Sequence, residues 1–480
     1  MFKTTYNKIM LYVACTFMAF AVSSCDPADF GDINENPNAT SVPVTSALLT
    51  NAIAGMSQVS LTAGSYAQYV AETQYPGVSL YDAVFGTFGN HNGILYDLQN
   101  IINNNTDPET AAKVSVNGSN NNQIAVARIM KTFIFMYETD QFGDIPYSEA
   151  LKGEAQPAYD SQESIYAGMF KELDEAVKQF DNGLAAKGDI LFGGNITKWK
   201  KFANTLRMIL ALRVSDAKPD QGKTEFNAAL TASGGVIENN SDNVSLAYPG
   251  GGFNNPFFNT YNGRKDWAIS DVMYNALNGI NDRRLKAYGT PNGAGQIVPV
   301  PYGVTRDEAI AYTNAHPDFS FVLAADFRKD NSPFVFLSAG QAFMARAEAA
   351  QRGWTGENVT AMFNAGIKAA WEQWKVFDQA AYDTYIADPN VAPAAGDALK
   401  KIGTQRWIAF YPDGFQGWAE WRRTGFPDLK PTPNATNSSK QIPRRYNYPT
   451  TEPNLNKANY DAAVQRMGGD NQDVKVWWDK

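Results

Sequence analysis

In the stretch QRWIAFYPDGFQGWAEWRRTGFPDL, residues 405–429, aromatic side chains surround the doublet Arg422-Arg423. Trp407, Phe410 or Tyr411, Trp418, Trp421 and Arg422 recur at helical spacings. Pro412-Asp413-Gly414 breaks the run as a turn. Asp413 is placed to cap a second helix, and Gly425 and Pro427 are placed to end it. The pattern predicts a short helical hairpin with a buried aromatic face. Arginines on that face need carbonyl or carboxylate partners in the interior.

Other segments read the same way. Ser161 can cap a helix on whose face lie Ile165, Met169, Leu173, Ala176 and Phe180, with Gly183 as its stop. Ile196, Trp199, Ala203, Leu206 and Leu210 form a stripe up to residue 213. Ser338 and Gln341 make a capping box before AFMARAEAAQ, which Gly353 ends. Val359, Met362, Phe363, Gly366, Ala370 and Trp374 mark the following helix, and Ile124–Met136 is apolar nearly all round, as in a buried helix. Residues 234–266, 286–305 and 429–457 are long and irregular, and ordered loops of such length usually serve function. Helices and loops interleave without a linker, so the chain reads as mainly α and as one domain.

W-I-A-F-Y-x-D-G-x-x-x-W-x-E-W-R-R-T-G-F-P resembles the signature of the SusD/RagB family of nutrient-binding outer-membrane lipoproteins, close to its SusD-like branch. The resemblance continues in Gly143-Asp144-Ile145-Pro146-Tyr147-Ser148-Glu149-Ala150, in WKKFANTLRMILALR at 199–213, in Pro443-Arg444-Arg445-Tyr446 with Tyr448-Pro449, and in the terminal Val476-Trp477-Trp478-Asp479-Lys480. It implies tetratricopeptide-like helix pairs on one side and a loop-rich ligand-binding side on the other. It also implies capture of an oligomeric nutrient, glycan or peptide, and its delivery by a lid movement to a SusC-type TonB-dependent transporter. Such a protein needs no catalysis and no cofactor. The alternatives are a surface glycosidase and a structural surface lipoprotein without a small ligand.

The N-terminus carries its own signal. Lys3 and Lys8 precede an apolar run from Ile9 to Val22, within signal-peptide range and short of a bilayer span. The run ends in Val22-Ser23-Ser24-Cys25, the arrangement a lipoprotein signal peptidase needs, so Cys25 is the expected lipid attachment. Cys15 leaves with the signal, and the mature chain has no disulfide to form. The expected partition is 1–24 signal peptide, 25–44 acylated cysteine and acidic tether, and 45–480 binding domain. Phe30-Gly31-Asp32-Ile33-Asn34-Glu35-Asn36-Pro37-Asn38 resembles the family's opening segment, and acidic residues after the lipid cysteine resemble those of surface-exposed lipoproteins. The expected location is the outer membrane, lipid-anchored and facing outward.

Net charge is −8, and no basic stripe appears, which argues against nucleic acid as a partner. His91 and His316 lie far apart in loop-like sequence, with no spacing that suits a transition metal. No nucleophile elbow or phosphate loop is present. Asp140, Asp144, Asp413 and Glu420 flank turns and are expected to be structural caps rather than a glycosidase pair. Gly468–Asp473 lacks the spacing of a calcium loop and reads as a turn. Two aromatic-amide clusters are the ligand candidates. The first holds Tyr75, Tyr81, Phe85 and His91; the second holds Phe253, Asn254, Phe257, Phe258, Tyr261, Arg264 and Trp267. Sugar rings stack on aromatic faces and bond amides and arginine. A stacking platform is expected among Tyr81, Phe85, Phe253, Phe258 and Trp267, although each aromatic could equally anchor its own loop.

Overall fold

The structure is a computed structural model and describes residues 44–480. Cys25, the signal segment, the tether and the Phe30–Asn38 motif lie outside the described residues. Among the described residues there are nineteen α-helices and three two-stranded antiparallel ribbons, so the chain is mainly α. None of these helices is long and apolar enough to cross a membrane.

The helical half is a series of packed neighbours. The helices α1 (Thr45–Gly55), α2 (Leu61–Tyr66), α3 (Ile94–Thr106), α4 (Asn120–Phe142), α5 (Gln162–Gln179), α6 (Ile196–Arg213) and α7 (Pro219–Leu230) come first. After a loop-rich insertion follow α8 (Arg306–Ala315), α9 (Ala339–Gln351), α10 (Val359–Gln373), α11 (Ala398–Phe410), α12 (Gly414–Thr424) and α13 (Lys457–Met467). Each of α3 to α6 packs on the next in the series, α9 packs on α6, α10 and α11, and α12 packs on α11, α2 and α4. These are the helix pairs that the family resemblance implied.

The caps explain the boundaries. Ser119, Ser161, Asn195 and Asn358 each accept a hydrogen bond from the backbone N–H three residues on. Ser338 and Gln341 close a reciprocal capping box on α9. The helix from Ser161 stops at Gln179, with Phe180 at its cap, before Gly183 is reached. Helix α4 is buried on nearly every side, which is why its sequence shows no polar face.

The 405–429 stretch forms the expected hairpin. Asp413 accepts from the Gln416 N–H at 3.2 Å, and Gly425 closes α12 in the left-handed conformation at φ 70°. Helix α12 lies so close to α2 that a Cβ on Gly414 would stand 2.1 Å from the Gly64 nitrogen. Trp407 and Trp418 are fully buried. Arg422 donates to the Arg444 carbonyl at 2.7 Å, with its guanidinium 3.7 Å from the Trp418 ring centre. Arg423 joins Glu348 and Glu420, each at 2.6 Å, and Arg406 joins Glu420 at 2.8 Å and Glu348 at 3.2 Å. Two buried cations and two buried anions thus meet at a junction of α9, α11 and α12, and the less buried Arg352 also joins Glu348, at 2.9 Å.

The expected caps divide. Asp413 caps α12, and Asp144 accepts from the first N–H of α5, that of Gln162, at 2.8 Å. Asp140 and Glu420 are not caps. They lie within helices, where Asp140 meets Tyr166, Trp478 and Arg213 and Glu420 meets the two arginines. Asp470 accepts from Arg445 at 2.8 Å and from the Tyr448 N–H at 3.0 Å, so this turn residue ties down the C-terminal segment.

The loop segments fasten to one another. Strand β1 (Val70–Glu72) pairs antiparallel with Trp267–Ile269, in the register Glu72 to Trp267 and Val70 to Ile269. Thr432 binds the Gly303 carbonyl and its N–H donates to the Tyr81 hydroxyl at 3.2 Å. The Phe85–Asn447 bridge joins the first loop to the C-terminal one.

Candidate ligand-binding site

The ribbon between β1 and Trp267–Ile269 brings one residue of each aromatic-amide cluster together, Tyr75 of the first and Arg264 of the second. The chain leaves β1 at Thr73, whose N–H donates to the Asp266 carbonyl at 2.9 Å. It then turns tightly: the Gly77 N–H returns to the Tyr75 carbonyl at 2.8 Å, and the Leu80 N–H returns to the Pro76 carbonyl at 3.0 Å. Tyr75 stands out on this turn, 52% exposed. The Arg264 guanidinium lies 5.5 Å from its ring centre and that of Arg306 5.4 Å. Arg264 is steadied by Asp266 at 2.6 Å. Arg306 is the first residue of α8, which Thr305 and Glu308 open with a capping box.

Behind Tyr75, Glu72 is buried under the same turn. Its carboxylate accepts from the Ser79 N–H at 2.8 Å and from the Ser79 hydroxyl at 3.0 Å. Burial outweighs these bonds and pushes the Glu72 carboxyl up to about 7.

The remaining candidates are placed as follows. Phe85 and Phe258 are exposed, and Trp267 is half-buried opposite Glu72. Tyr81 and Phe257 are corrected: both are core residues. Tyr81 has no accessible face, and Phe257 stacks on Phe334 with centroids 6.0 Å apart. Tyr261 stacks on Phe321 at 4.3 Å and its hydroxyl accepts from the Val322 N–H. Phe253 packs on Tyr248 at 4.7 Å, and the Asn254 side chain accepts from the Gly252 N–H. His91 stacks on Phe88 and sits 2.8 Å from Glu138. These four hold their own loops. Only Tyr75 and Arg264, of the candidates, meet each other directly. Arg306 was missed, because nothing in its local sequence ties it to a tyrosine far upstream.

The arrangement offers an aromatic ring with guanidinium donors beside it, which suits the apolar face and hydroxyls of a sugar. Among the described residues no group of three His, Cys, Asp or Glu side chains could hold a metal ion.

Comparison with known proteins places the chain. Residues 37–449 match the SusD-like family model described as starch-binding and associating with the outer membrane. A solved chitin-binding protein is 31% identical, with 91% of this chain and 99% of that one covered, at a TM-score of 0.79. A chitin-binding SusD homolog from Flavobacterium johnsoniae is 28% identical over 91% and 98% of the two chains, at a TM-score of 0.75. A SusD homolog from Bacteroides uniformis is 25% identical over 91% and 99%, at a TM-score of 0.76. No curated protein matches. With most of its length matched by the family model and its helical core shared with these structures, the chain belongs to the SusD-like family of outer-membrane-associated proteins.

Proposed function

We propose that this chain is an outward-facing lipoprotein, anchored through Cys25, that captures an oligosaccharide and delivers it as a lid to a SusC-type TonB-dependent transporter. The observation that carries the reading is the exposed Tyr75 ring flanked by Arg264 and by Arg306, the first residue of α8. Two solved relatives are named for chitin binding, and the family model for starch binding. Both are neutral glycans, and these are the first ligands to test. A peptide would use the same ring with backbone amides in place of hydroxyls. The partition into signal (1–24), tether (25–44) and binding domain (45–480) is part of the proposal. The protein itself performs no hydrolysis; the transporter supplies the energy of uptake.

Native electrophoresis through gels containing glycol chitin or soluble starch tests capture. Retardation by one polymer, relieved in Tyr75→Ala, is the expected result. Release of reducing sugar by the purified protein would favour the glycosidase reading instead. Co-purification of a barrel partner with the membrane-extracted protein tests the transporter assignment, and its absence would remove the lid from the account.

A further inference from the structure

Trp374 and Phe327 pack edge to face, with ring centres 5.1 Å apart, and both line two adjoining clefts. The first is a cavity of about 440 Å³, lined among others by Phe334, Asn243 and Gln373. That volume is within the range of small-molecule sites. The Gln373 carbonyl oxygen accepts from Asn243 at 3.4 Å, while its NH₂ group has no protein acceptor among the described residues. The second is an open cleft whose charged lining is Arg283, Lys286, Lys329 and Lys375 against Asp326 alone. Neither cleft includes Tyr75, Arg264 or Arg306.

The charge pattern is unusual for this molecule. The chain as a whole carries −8, yet this cleft gathers four cations around one carboxylate. Asp326 is engaged by Lys329 at 2.8 Å, and Arg283 donates through Nε to the Val376 carbonyl. Lys286 and Lys375 form no salt bridge among the described residues, and both are exposed. Lys375 lines both clefts. It follows the cap of α10 in the left-handed conformation, at φ 55°, a position where glycine is usual. A lysine there carries a charge to the mouth of the cavity at a conformational cost that glycine would avoid.

We propose that the two clefts form a second saccharide site, for a glycan unit bearing a carboxylate or sulfate. The sugar ring lies against Trp374 and Phe327, and its anionic group is held by Lys375, Lys286 and Arg283. A uronate and a sulfated sugar share this chemistry. The site goes beyond the neutral-glycan surface at Tyr75 and does not depend on it.

Calorimetric titration of the whole protein with trigalacturonate, a sulfated galactose disaccharide, maltotriose and inorganic sulfate tests the proposal. At least one acidic sugar is expected to bind more tightly than both maltotriose and sulfate, with affinity falling as salt rises. A response to trigalacturonate alone assigns a uronate, and one to the sulfated disaccharide alone assigns a sulfate ester. The exposed double variant Lys286→Gln/Lys375→Gln should bind that sugar about tenfold more weakly with an unchanged melting temperature. Tyr75→Ala should bind it as the parent does, which separates this site from capture of neutral glycan. Equal binding by the double variant, loss in Tyr75→Ala, sulfate binding as tight as the acidic sugar, or no acidic sugar bound would each overturn the proposal.

Discussion

Tyr75 and Tyr81 lie on one short loop and have opposite fates. Tyr75 projects from the turn, whereas Tyr81, at φ 67°, directs its hydroxyl to the Thr432 N–H inside the core. Residue type alone could not separate them; the turn geometry did. Glu72 beneath them yields a pH prediction. Its carboxyl is raised by burial from 4.5 to about 7, so the folded state holds a proton that the unfolded state releases between those values. Stability therefore falls as pH rises from about 4.5 to about 7, by up to roughly 3 kcal/mol. Glu72→Gln keeps an acceptor for Ser79 without the charge. It should melt higher than the parent at pH 8 and level with it near pH 4.5; equal melting at both pH values would contradict the assignment. In the hairpin, Trp418 is fully buried, and its ring nitrogen donates to the Pro443 carbonyl at 2.8 Å. Trp418→Ala should cost about 3–5 kcal/mol in denaturant unfolding, and Arg422→Ala should also lose stability by freeing the Arg444 carbonyl.

At the scale of elements, the local signals were readable and the long-range ones were not. Asp413, Gly425, Ser338 and Ser161 announced their helix ends because caps are bonds within a turn or two. The charge cluster behind the hairpin left no such trace, since Glu348 and Arg423 stand 75 residues apart. The ribbon that brings Arg264 to Tyr75 has three residues a side, too few to show alternation. Likewise Asp140 and Glu420 resembled caps only until α4 and α12 proved to run through them. The cluster itself can be tested. Burial opposes the charge on Glu348, but Arg423 and Arg406 hold its carboxyl below the ordinary range. Its contribution is complete above pH 4.5 and is lost as pH falls through the lower folded value. Glu348→Gln should lower the unfolding free energy measured in urea at pH 7 by about 3–5 kcal/mol, and the gap to the parent should narrow in acid. A gap independent of pH would mean that packing, not charge, is what the substitution removes.

For the whole molecule, the proposed function adds an N-terminal lipid anchor to the described helical body. If Cys25 carries the acyl chains, Cys25→Ala should fold normally yet leave the membrane fraction in cells lacking the transporter; retention there would remove the lipid anchor from the account. The proposed ligand face was only partly legible: the sequence offered Tyr75 and Arg264 as candidates but could not bring Arg306 to them or show that Tyr81 and Phe257 are buried. Calorimetric titration of the parent and Tyr75→Ala with chito- and malto-oligosaccharides decides whether the Tyr75 face captures glycan. The parent should bind one series with little dependence on salt. Tyr75→Ala should bind it at least tenfold more weakly, about 1.4 kcal/mol, at an unchanged melting temperature. Identical titrations for parent and variant, or no binding of either series by the parent, would contradict that capture.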